Sequence, residues 1–247
     1  MMVQGIHFLP EQDPADVAWK LVATNLSDLA AKGAKPLGVL LGYTLDGGSE
    51  RFLDGLQQAL NHFDVPLLGG DTVGSAGPQT LGLTAIGAAT HCPVPSRAGC
   101  APGDGLYVTG PVGAAMMGFE ALKSGSGDSL AYRRPNPRLN EGMKLAPIVS
   151  AIMDISDGLL LDALRMADAS NVTLSIESEH VPIAAPEARR DDALRWGDDY
   201  ELLFTAPCQA ELPVPATRIG TAMPREAAAL LLDKAAVEAA ASLGYRH

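Results

Sequence analysis

Residues 151–176 read AIMDISDGLLLDALRMADASNVTLSI, and this stretch decides the fold class. The short apolar run at 151–155 predicts a strand, the leucine-rich segment 159–170 predicts a helix, and the run 172–176 predicts a second strand. A succession of strand, helix and strand is typical of proteins in which helices cover a sheet. We therefore expect a mixed α/β (α+β) fold.

The sequence on either side extends this pattern towards the C-terminus. Strands are predicted at 106–109 and 200–205, and a helix at 114–123. Residues 123–128, KSGSGD, are rich in Gly and Ser and indicate a mobile loop. The alanine-rich stretch 225–242 predicts a closing helix.

The N-terminal part has its own alternation of elements. Asp13 and Pro14 are typical of a helix start, and Gly33 is the expected stop. A second helix is predicted to begin at Ser49. The predicted strands are 37–45, 65–68 and 81–88, and a turn is predicted at 46–48.

Two prolines separate these two parts. Pro93 and Pro95 lie in HCPVP and interrupt any regular element. We therefore predict an N-terminal domain over residues 1–92 and a C-terminal α/β domain over residues 93–247.

Composition excludes several classes of function. The formal net charge of −11 would repel nucleic acid and anionic lipid, so we expect no nucleic-acid partner and no membrane partner. The sequence has neither a membrane-span-length apolar run nor a signal-peptide pattern, and its three cysteines are widely spaced, so a cytoplasmic location is expected. It also lacks a Gly-Lys dipeptide, which excludes a P-loop.

The segment Asn25-Leu26-Ser27-Asp28 places poor helix formers inside a predicted helix. Asp28 shares a helix face with Val17 and Leu21, so its carboxylate is predicted to point inward and to need a cation or donors there. The alternative is a helix that ends early, with Ser27 or Asp28 capping the next one.

Two further segments place carboxylates at strand ends. Gly69 and Gly70 precede Asp71, where a ligand could approach the backbone closely, although a plain turn also fits. Asp154 and Ser156 alternate onto one side of a strand, before a helix whose N-terminus could bind an anion. A simple helix cap would explain part of that second pattern, but not Asp154 within the strand.

Other polar segments are ambiguous taken alone. Asp198, Asp199 and Glu201 could form a metal or cationic-substrate site, or only a polar turn. Arg97 and the basic segment 133–138 could contact phosphate, although loop arginines are usually solvated. His7 lies between apolar neighbours, where a lone histidine is usually structural.

Taken in order, the motifs resemble the ATP-dependent thiamine-monophosphate kinase family, within the superfamily of aminoimidazole ribonucleotide synthetase. The matching segments span nearly the whole chain: GIHF at 5–8, NLSDLAA at 25–31, GA at 33–34, GGDT at 69–72, SRAG at 96–99, PGD at 102–104, RPNPR at 134–138, DISDG at 154–158 and DYEL at 199–202. The resemblance implies a two-domain aminoimidazole ribonucleotide synthetase-like fold that pairs as a homodimer through its N-terminal sheets. It also implies Mg²⁺-dependent transfer of the ATP γ-phosphoryl group to thiamine monophosphate, giving thiamine diphosphate and ADP.

The same resemblance assigns roles to individual residues. The implied metal ligands are Asp28, Asp71, Asp154 and Asp157, of which Asp28 and Asp157 are also expected to be catalytic. The implied ATP contacts are Gly70, Asp71, Arg97 and Ser156, and the implied substrate contacts are His7, Asp198 and Tyr245.

The sequence departs from the family pattern in two places. The family's Gly-Glu-Asp-Tyr-Glu-Leu has Asp198 in place of its first glutamate, which shortens the side chain expected to face the thiamine group. The family also has a Gly-Asp-Asp motif and a strand ending in Thr-Asp ahead of GIHF, and both supply metal ligands. We do not find them there, so we expect a truncated N-terminal sheet domain, an internal methionine at Met1, and weakened Mg²⁺ binding.

Two other functions stay open on the sequence. One is a different ATP-using reaction of the same superfamily, such as amidine or selenophosphate formation; the DYEL segment argues against it. The other is a non-catalytic remnant that binds nucleotide or a partner without turnover.

Overall fold

The computed structural model describes residues 1–45, 49–237 and 243–245. Two β-sheets, one from each half of the chain, carry the helices on their faces. The predicted mixed α/β fold is confirmed. The turn predicted at 46–48 lies outside the described residues.

The N-terminal half is a four-stranded sheet with two helices. Its elements in chain order are β1 (Met2–Val3), α1 (Pro14–Ala30), β2 (Ala34–Leu45), α2 (Ser49–Phe63), β3 (Leu67–Gly74) and β4 (Thr80–Ala89). The strand order is β1-β4-β2-β3, with β2 and β3 parallel and the other neighbours antiparallel. Val39, Leu41 and Tyr43 alternate onto one face of β2 and are buried with apolar residues of α1 and α2.

The opposite face of this sheet is uncovered. Leu40 is 40% exposed, Ile86 40% and Val73 58%. All of β3 is exposed along its length. The N-terminal sheet therefore has one buried apolar face and one apolar face open to solvent.

The C-terminal half is built on a seven-stranded sheet in the order β11-β10-β7-β9-β5-β8-β6. Its elements are β5 (Asp104–Val108), α3 (Ala114–Ser124), α4 (Leu130–Arg133), α5 (Leu139–Leu145), β6 (Ala151–Asp154), α6 (Leu159–Ser170), β7 (Val172–Ile176), α7 (Arg190–Arg195), β8 (Leu202–Pro207), β9 (Thr217–Pro224), β10 (Leu230–Leu232) and β11 (Ala235–Ala236). The predicted strand, helix and strand at 151–176 are present as β6, α6 and β7.

Helix α1 begins as its sequence predicts. Asp13 Oδ1 accepts a hydrogen bond from the Ala15 backbone N–H at 3.0 Å, and Pro14 occupies the first helical position. The helix continues to Ala30, so the alternative of an early end at Ser27 or Asp28 is wrong. Packing of its apolar residues against the sheet outweighs the weak helix propensity of Asn25, Ser27 and Asp28.

The predicted closing helix at 225–242 is wrong in its described part. β10 pairs in parallel with β7, and β11 returns antiparallel to β10. The turn between them places Asp233 and Lys234 at positive φ. Leu230 is fully buried in the core of the C-terminal half, so tertiary packing overrides the helix preference of alanine here. Residues 238–242 lie outside the described part of the chain.

The strand predicted at 65–68 is also misplaced. β3 runs from Leu67 to Gly74, so Asp71 lies within the strand rather than at a rim after it. Pairing of β3 with β2 carries the strand through both glycines, with a register irregularity beside Val39. Glycine weakened the sequence signal for a strand without preventing the pairing.

Candidate functional site

Helix α1 presents three buried polar side chains to the C-terminal half of the chain. Asp16 binds Arg133 and Arg134, Lys20 binds Asp198, and Ser27 binds Asp154. These contacts join residues more than a hundred positions apart. The helix therefore contributes several of the buried polar contacts between the two halves of the molecule.

Close packing at the end of α1 reinforces this contact. A Cβ at Gly142 would lie 2.0 Å from the Ala30 carbonyl oxygen, and one at Gly33 would lie 2.3 Å from the Ala146 Cβ. Either distance is far below van der Waals contact, so α5 can approach α1 only because these residues are glycine. The approach fixes the C-terminal end of α1 beside the turn that follows β6.

A polar cavity of about 420 Å³ lies between this end of α1 and the turn joining β6 to α6. Its walls combine acidic and basic side chains. The lining residues are Asp28, Ala31, Lys32, Arg97, Met153, Asp154, Ser156, Asp157, Asp162 and Arg165. The cavity therefore brings together five of the predicted site residues: Asp28, Arg97, Asp154, Ser156 and Asp157.

Asp154 is the most strongly perturbed carboxylate of this cavity. It ends β6, is 9% exposed, and its Oδ2 accepts a 2.7 Å hydrogen bond from Ser27 Oγ. Burial raises its pKa to about 7, and repulsion from Asp28 adds to the shift. A cation placed beside Asp154 would stabilise its charged form.

Asp28 is not buried as predicted. Ser27 is the fully buried residue at this point of α1, whereas Asp28 is exposed to the cavity. Val17 and Leu21 are buried in the core on the sheet, whereas Asp28 lines the cavity together with Lys32 and Arg97. The surrounding protein still raises the pKa of Asp28 through desolvation, while Lys32 and Arg97 lower it.

Asp157 and Asp162 are held by one arginine. Arg165 binds Asp157 and also bonds Asp162 Oδ1 at 2.8 Å. Asp162 Oδ2 accepts from the backbone N–H groups of Ser156 and Asp157, at 3.1 and 3.0 Å. The Ser156 and Asp157 amides, which precede α6, are thus already occupied by the Asp162 carboxylate, whose pKa is raised to about 6 by burial.

The structure places Gly70 and Asp71 on β3, outside the lining of this cavity. Asp71 is exposed, and its Oδ1 accepts a 2.8 Å hydrogen bond from the Thr72 backbone N–H. It pairs with Gly42 across the parallel ladder. Asp71 is therefore the one predicted metal ligand that does not line the cavity.

The predicted substrate contacts Asp198 and Tyr245 lie next to the turn after β6. The Asp198 N–H donates to the Ser156 carbonyl at 2.9 Å, and the Tyr245 N–H donates to the Asp157 carbonyl at 2.8 Å. His7 lies on the N-terminal side, where its carbonyl accepts a 3.3 Å bond from Tyr132 Oη and its Nδ1 accepts from the Val3 N–H at 3.0 Å.

The crowded carboxylates before β8 do not form a common site. Asp198 binds Lys20, Asp199 accepts from the N–H groups of Gly113 and Ala115 at the start of α3, and Glu201 is held by Arg138. Burial raises the pKa of Asp199 to about 7. The three carboxylates therefore bind three different sets of partners.

On sequence alone, the basic segment 133–138 could either contact phosphate or be solvated. Arg133 and Arg134 instead bind Asp16, and Arg138 binds Glu201. A sequence shows the charges of these residues but not their distant partners, so it could not distinguish internal ion pairs from ligand contacts.

Sequence reasoning missed Lys20, Asp162 and Arg165. Asp16 and Lys20 are four residues apart, a spacing that indicates an ordinary surface pair on a helix. Both are 2% exposed and pair elsewhere. Asp162 carried a weak signal, since acidic residues are common in the first turn of a helix.

The donor set of the cavity fits Mg²⁺. Its carboxylate oxygens are the hard ligands that this ion prefers, and one or two carboxylates suffice when water and phosphate complete the shell. Within residues 1–45, 49–237 and 243–245, no group of three or more His, Cys, Asp or Glu side chains is arranged to hold a metal ion by itself. Burial raises the pKa of Asp154, so a cation beside it would offset the cost of its buried charge.

A second cavity, of about 460 Å³, lies away from these residues. It is lined by Glu177, His180, Thr217, Arg218, Gly220 and Thr221. His180 and Glu177 pair with each other across 2.8 Å. It contains none of the predicted site residues, so we assign it no role in the site.

In the described part of the chain, no helix combines the length and apolar character needed to cross a bilayer.

Comparison with known proteins gives two family matches and several close relatives. Residues 1–89 match the AIR synthase related protein N-terminal domain, and residues 101–233 match the corresponding C-terminal domain. The Escherichia coli K12 protein named thiamine-monophosphate kinase is 38% identical over 226 residues, which cover 83% of this chain and 69% of the relative.

Solved structures give the same picture. The thiamine-monophosphate kinase of Stenotrophomonas maltophilia K279a superposes with a TM-score of 0.84 at 32% identity, covering 94% of this chain and 83% of that one. A structure of AaThiL complexed with AMPPCP and TMP gives a TM-score of 0.86 at 28% identity, covering 96% and 82%. The expected two-domain fold of aminoimidazole ribonucleotide synthetase relatives is thereby confirmed.

Proposed function

Because the chain belongs to the thiamine-monophosphate kinase family, we propose that it transfers the γ-phosphoryl group of ATP to thiamine monophosphate, forming thiamine diphosphate and ADP. The observation that carries this proposal is the polar cavity beside α1, where Asp28, Asp154 and Asp157 converge. The AaThiL structure, which contains AMPPCP and TMP, supports both substrates by similarity. AMPPCP is a non-hydrolysable analogue of ATP.

We assign Asp28, Asp154 and Asp157 as the residues of the cavity that would hold Mg²⁺. When bound, Mg²⁺ neutralises phosphate charge and holds the phosphates in alignment, which is most of what phosphoryl transfer requires. Asp28 and Asp157 are also proposed as catalytic residues through this role. Ser27 fixes the Asp154 carboxylate, and Arg165 fixes that of Asp157, so both are oriented before a ligand arrives.

The nucleotide contacts are proposed to come from both halves of the chain. Arg97 and Ser156 line the cavity, where a guanidinium and a hydroxyl can bond phosphate oxygens. Gly70 and Asp71 would contribute from β3, with Asp71 as a further metal ligand. Their exposure leaves the backbone of β3 accessible to a nucleotide.

Thiamine monophosphate is proposed to contact His7, Asp198 and Tyr245. The backbone of Asp198 and of Tyr245 is hydrogen-bonded to the turn at Ser156 and Asp157. A substrate held by these side chains would therefore lie beside the proposed phosphate site, as direct transfer between two bound substrates requires.

We further propose that the protein is a cytoplasmic homodimer paired through the uncovered face of its N-terminal sheet. Leu40, Val73 and Ile86 expose apolar surface on that face. Contiguous exposed apolar surface of this kind is typical of an interaction site. The net charge of −11 disfavours nucleic acid and anionic membranes as the partners.

An assay that couples ADP release to NADH oxidation tests the reaction. With Mg²⁺, we expect ADP only when ATP and thiamine monophosphate are both present, and thiamine diphosphate as the second product by chromatography. ADP formed only with another acceptor would favour a different ATP-using enzyme of the superfamily. Nucleotide binding without any turnover would favour a binding protein.

A further inference from the structure

Lys20 is a buried charged residue outside the cavity. Its side chain is 2% exposed, in the middle of α1. Its Nζ donates to Asp198 Oδ2 at 2.7 Å and lies 3.7 Å from the centre of the Tyr132 ring. A buried ammonium is stable only with such partners, and desolvation lowers the pKa of Lys20 while Asp198 raises it.

The partner of Lys20 is a constrained residue. Asp198 has a φ of +66°, in the left-handed region that non-glycine residues rarely adopt. Its Oδ2 binds Lys20, and its Oδ1 accepts a 2.8 Å bond from Tyr200 Oη. Both carboxylate oxygens are thus oriented, yet the side chain keeps 31% of its surface exposed.

The same cluster reaches the other predicted substrate contact. Tyr132, which lies against Lys20, donates from its hydroxyl to the His7 carbonyl at 3.3 Å. A continuous set of contacts therefore runs from His7 through Tyr132 and Lys20 to Asp198. The two residues proposed to bind thiamine monophosphate from opposite halves of the chain are joined by one buried lysine.

We propose that Lys20 is a positioning residue for the acceptor substrate: it fixes the Asp198 carboxylate at the orientation in which it contacts thiamine monophosphate. Lys20 acts through Asp198 and does not touch the substrate itself. The inference rests on the proposed function, because it concerns the acceptor site of that reaction. It also gives a reason why the short Asp198 can serve here: an ion pair with α1 sets its position.

The proposal predicts different effects of a Lys20 substitution on the binding of the two substrates. Removing the Lys20 ammonium frees the Asp198 carboxylate to move, so binding of thiamine monophosphate weakens. In the described part of the chain, Lys20 contacts neither Arg97 nor Ser156, the two proposed nucleotide contacts that line the cavity, so their geometry is expected to stay unchanged. A general structural weakening would instead lower the affinity for both substrates.

Isothermal titration calorimetry on the full chain provides the test, with thiamine monophosphate and Mg²⁺–AMPPCP as separate ligands. The variants are Lys20→Met, Asp198→Asn and their double mutant, with Lys144→Met as an exposed helical lysine control. We expect Lys20→Met to weaken thiamine monophosphate binding by about tenfold or more, as for loss of one partner of a desolvated charge pair. Mg²⁺–AMPPCP binding stays within about twofold of wild type, and Lys144→Met changes neither ligand.

The double mutant adds a second criterion. If Lys20 acts only through Asp198, the double mutant binds thiamine monophosphate no more weakly than Asp198→Asn alone. Should Lys20→Met fail to fold, Lys20→Gln is measured in the same way, with the same expected loss.

The outcomes distinguish this inference from the proposed function. Wild-type protein that does not bind thiamine monophosphate contradicts the function itself. Wild-type binding that is unchanged by Lys20→Met, or an equal loss for both ligands, overturns the positioning role of Lys20 alone. A double mutant much weaker than Asp198→Asn also overturns it.

Discussion

The turn after β6 and the strand β3 were both predicted to supply metal ligands, but the folded chain treats them differently. At the turn, Asp154 is buried and bonded by Ser27, and Asp157 is bound by Arg165. On β3, Asp71 is exposed on a strand that is itself exposed throughout. One acidic group is embedded in a hydrogen-bond network, whereas the other is surrounded by solvent.

The difference teaches which part of the proposed site is ready before ligand binds. Embedded carboxylates have fixed positions, so they can bind a cation with little reorganisation. An exposed carboxylate is hydrated and must give up both water and conformational freedom on binding. Changes at the turn should therefore have larger effects than changes on β3.

Replacement of Asp154 should have the largest effect. Asp154→Asn keeps the shape of the side chain but removes the charge that would face Mg²⁺, so we expect kcat to fall by about 100-fold or more. The same change removes a buried charge, so thermal stability without Mg²⁺ should rise. Steady-state kinetics and melting curves check the two parts, with Asp168→Asn as an exposed α6 control. Loss of activity together with lower stability would instead indicate damaged folding.

The pH dependence of stability gives the next effect. The pKa of Asp154 is about 7 in the folded chain and about 3.9 for an unfolded aspartate. Between these values the folded chain holds a proton that the unfolded chain releases, so this residue's contribution to the free energy of unfolding falls as pH rises. In EDTA, we expect the melting temperature of Asp154→Asn minus that of wild type to become more positive as the pH rises from about 4 to about 7. Parallel curves would contradict the assigned shift.

Replacement of Asp71 should have a smaller effect on nucleotide binding. Asp71→Asn removes one charge from the proposed metal set, so Mg²⁺-dependent affinity for AMPPCP should fall by about tenfold. Calorimetry with and without Mg²⁺ measures this, with Asp64→Asn as an exposed control in the same half of the chain. Unchanged affinity would remove Asp71 from the site.

The smallest effect on the folded chain is expected on the uncovered sheet face. Ile86→Lys places a charge on exposed apolar surface. The proposed dimer should therefore be weaker and dissociate at a higher protein concentration than the wild-type dimer. Monomer stability should change by no more than about 0.5 kcal/mol, as for most surface substitutions. Analytical ultracentrifugation across a concentration series measures association, and urea unfolding below the dissociation concentration measures stability. A dimer of unchanged strength would exclude this face as the interface.

Local sequence patterns predicted much of the fold correctly. The alternation at 151–176 and the Asp13–Pro14 start of α1 are visible without any tertiary information, and both were correct. The helix predicted in the alanine-rich stretch 225–242 was wrong in its described part, because Leu230 is buried in a strand that pairs with β7. The predicted bounds of β3 were wrong because its glycines have a low strand preference, and the strand forms through pairing with β2.

The candidate site was only partly predictable, for a similar reason. The motifs identified Asp28, Asp154 and Asp157, which do line one cavity. They could not show that Ser27 rather than Asp28 is buried, because a helix face inferred from periodicity does not reveal that Asp154, 127 residues away, packs against Ser27. Nor could they show that Lys20 binds Asp198, since the two lie 178 residues apart. The division into domains at 92 and 93, and the roles of the individual site residues, stay predictions.

The central claim is that the cavity beside α1 holds the divalent cation and the phosphates of ATP. The most direct measurement is an anomalous difference map from crystals of the full chain grown with Mn²⁺ and AMPPCP. We predict Mn²⁺ peaks within bonding distance of Asp28, Asp154 or Asp157, next to the phosphate density. Peaks and nucleotide found only elsewhere, for example in the cavity beside Arg218, would contradict the account.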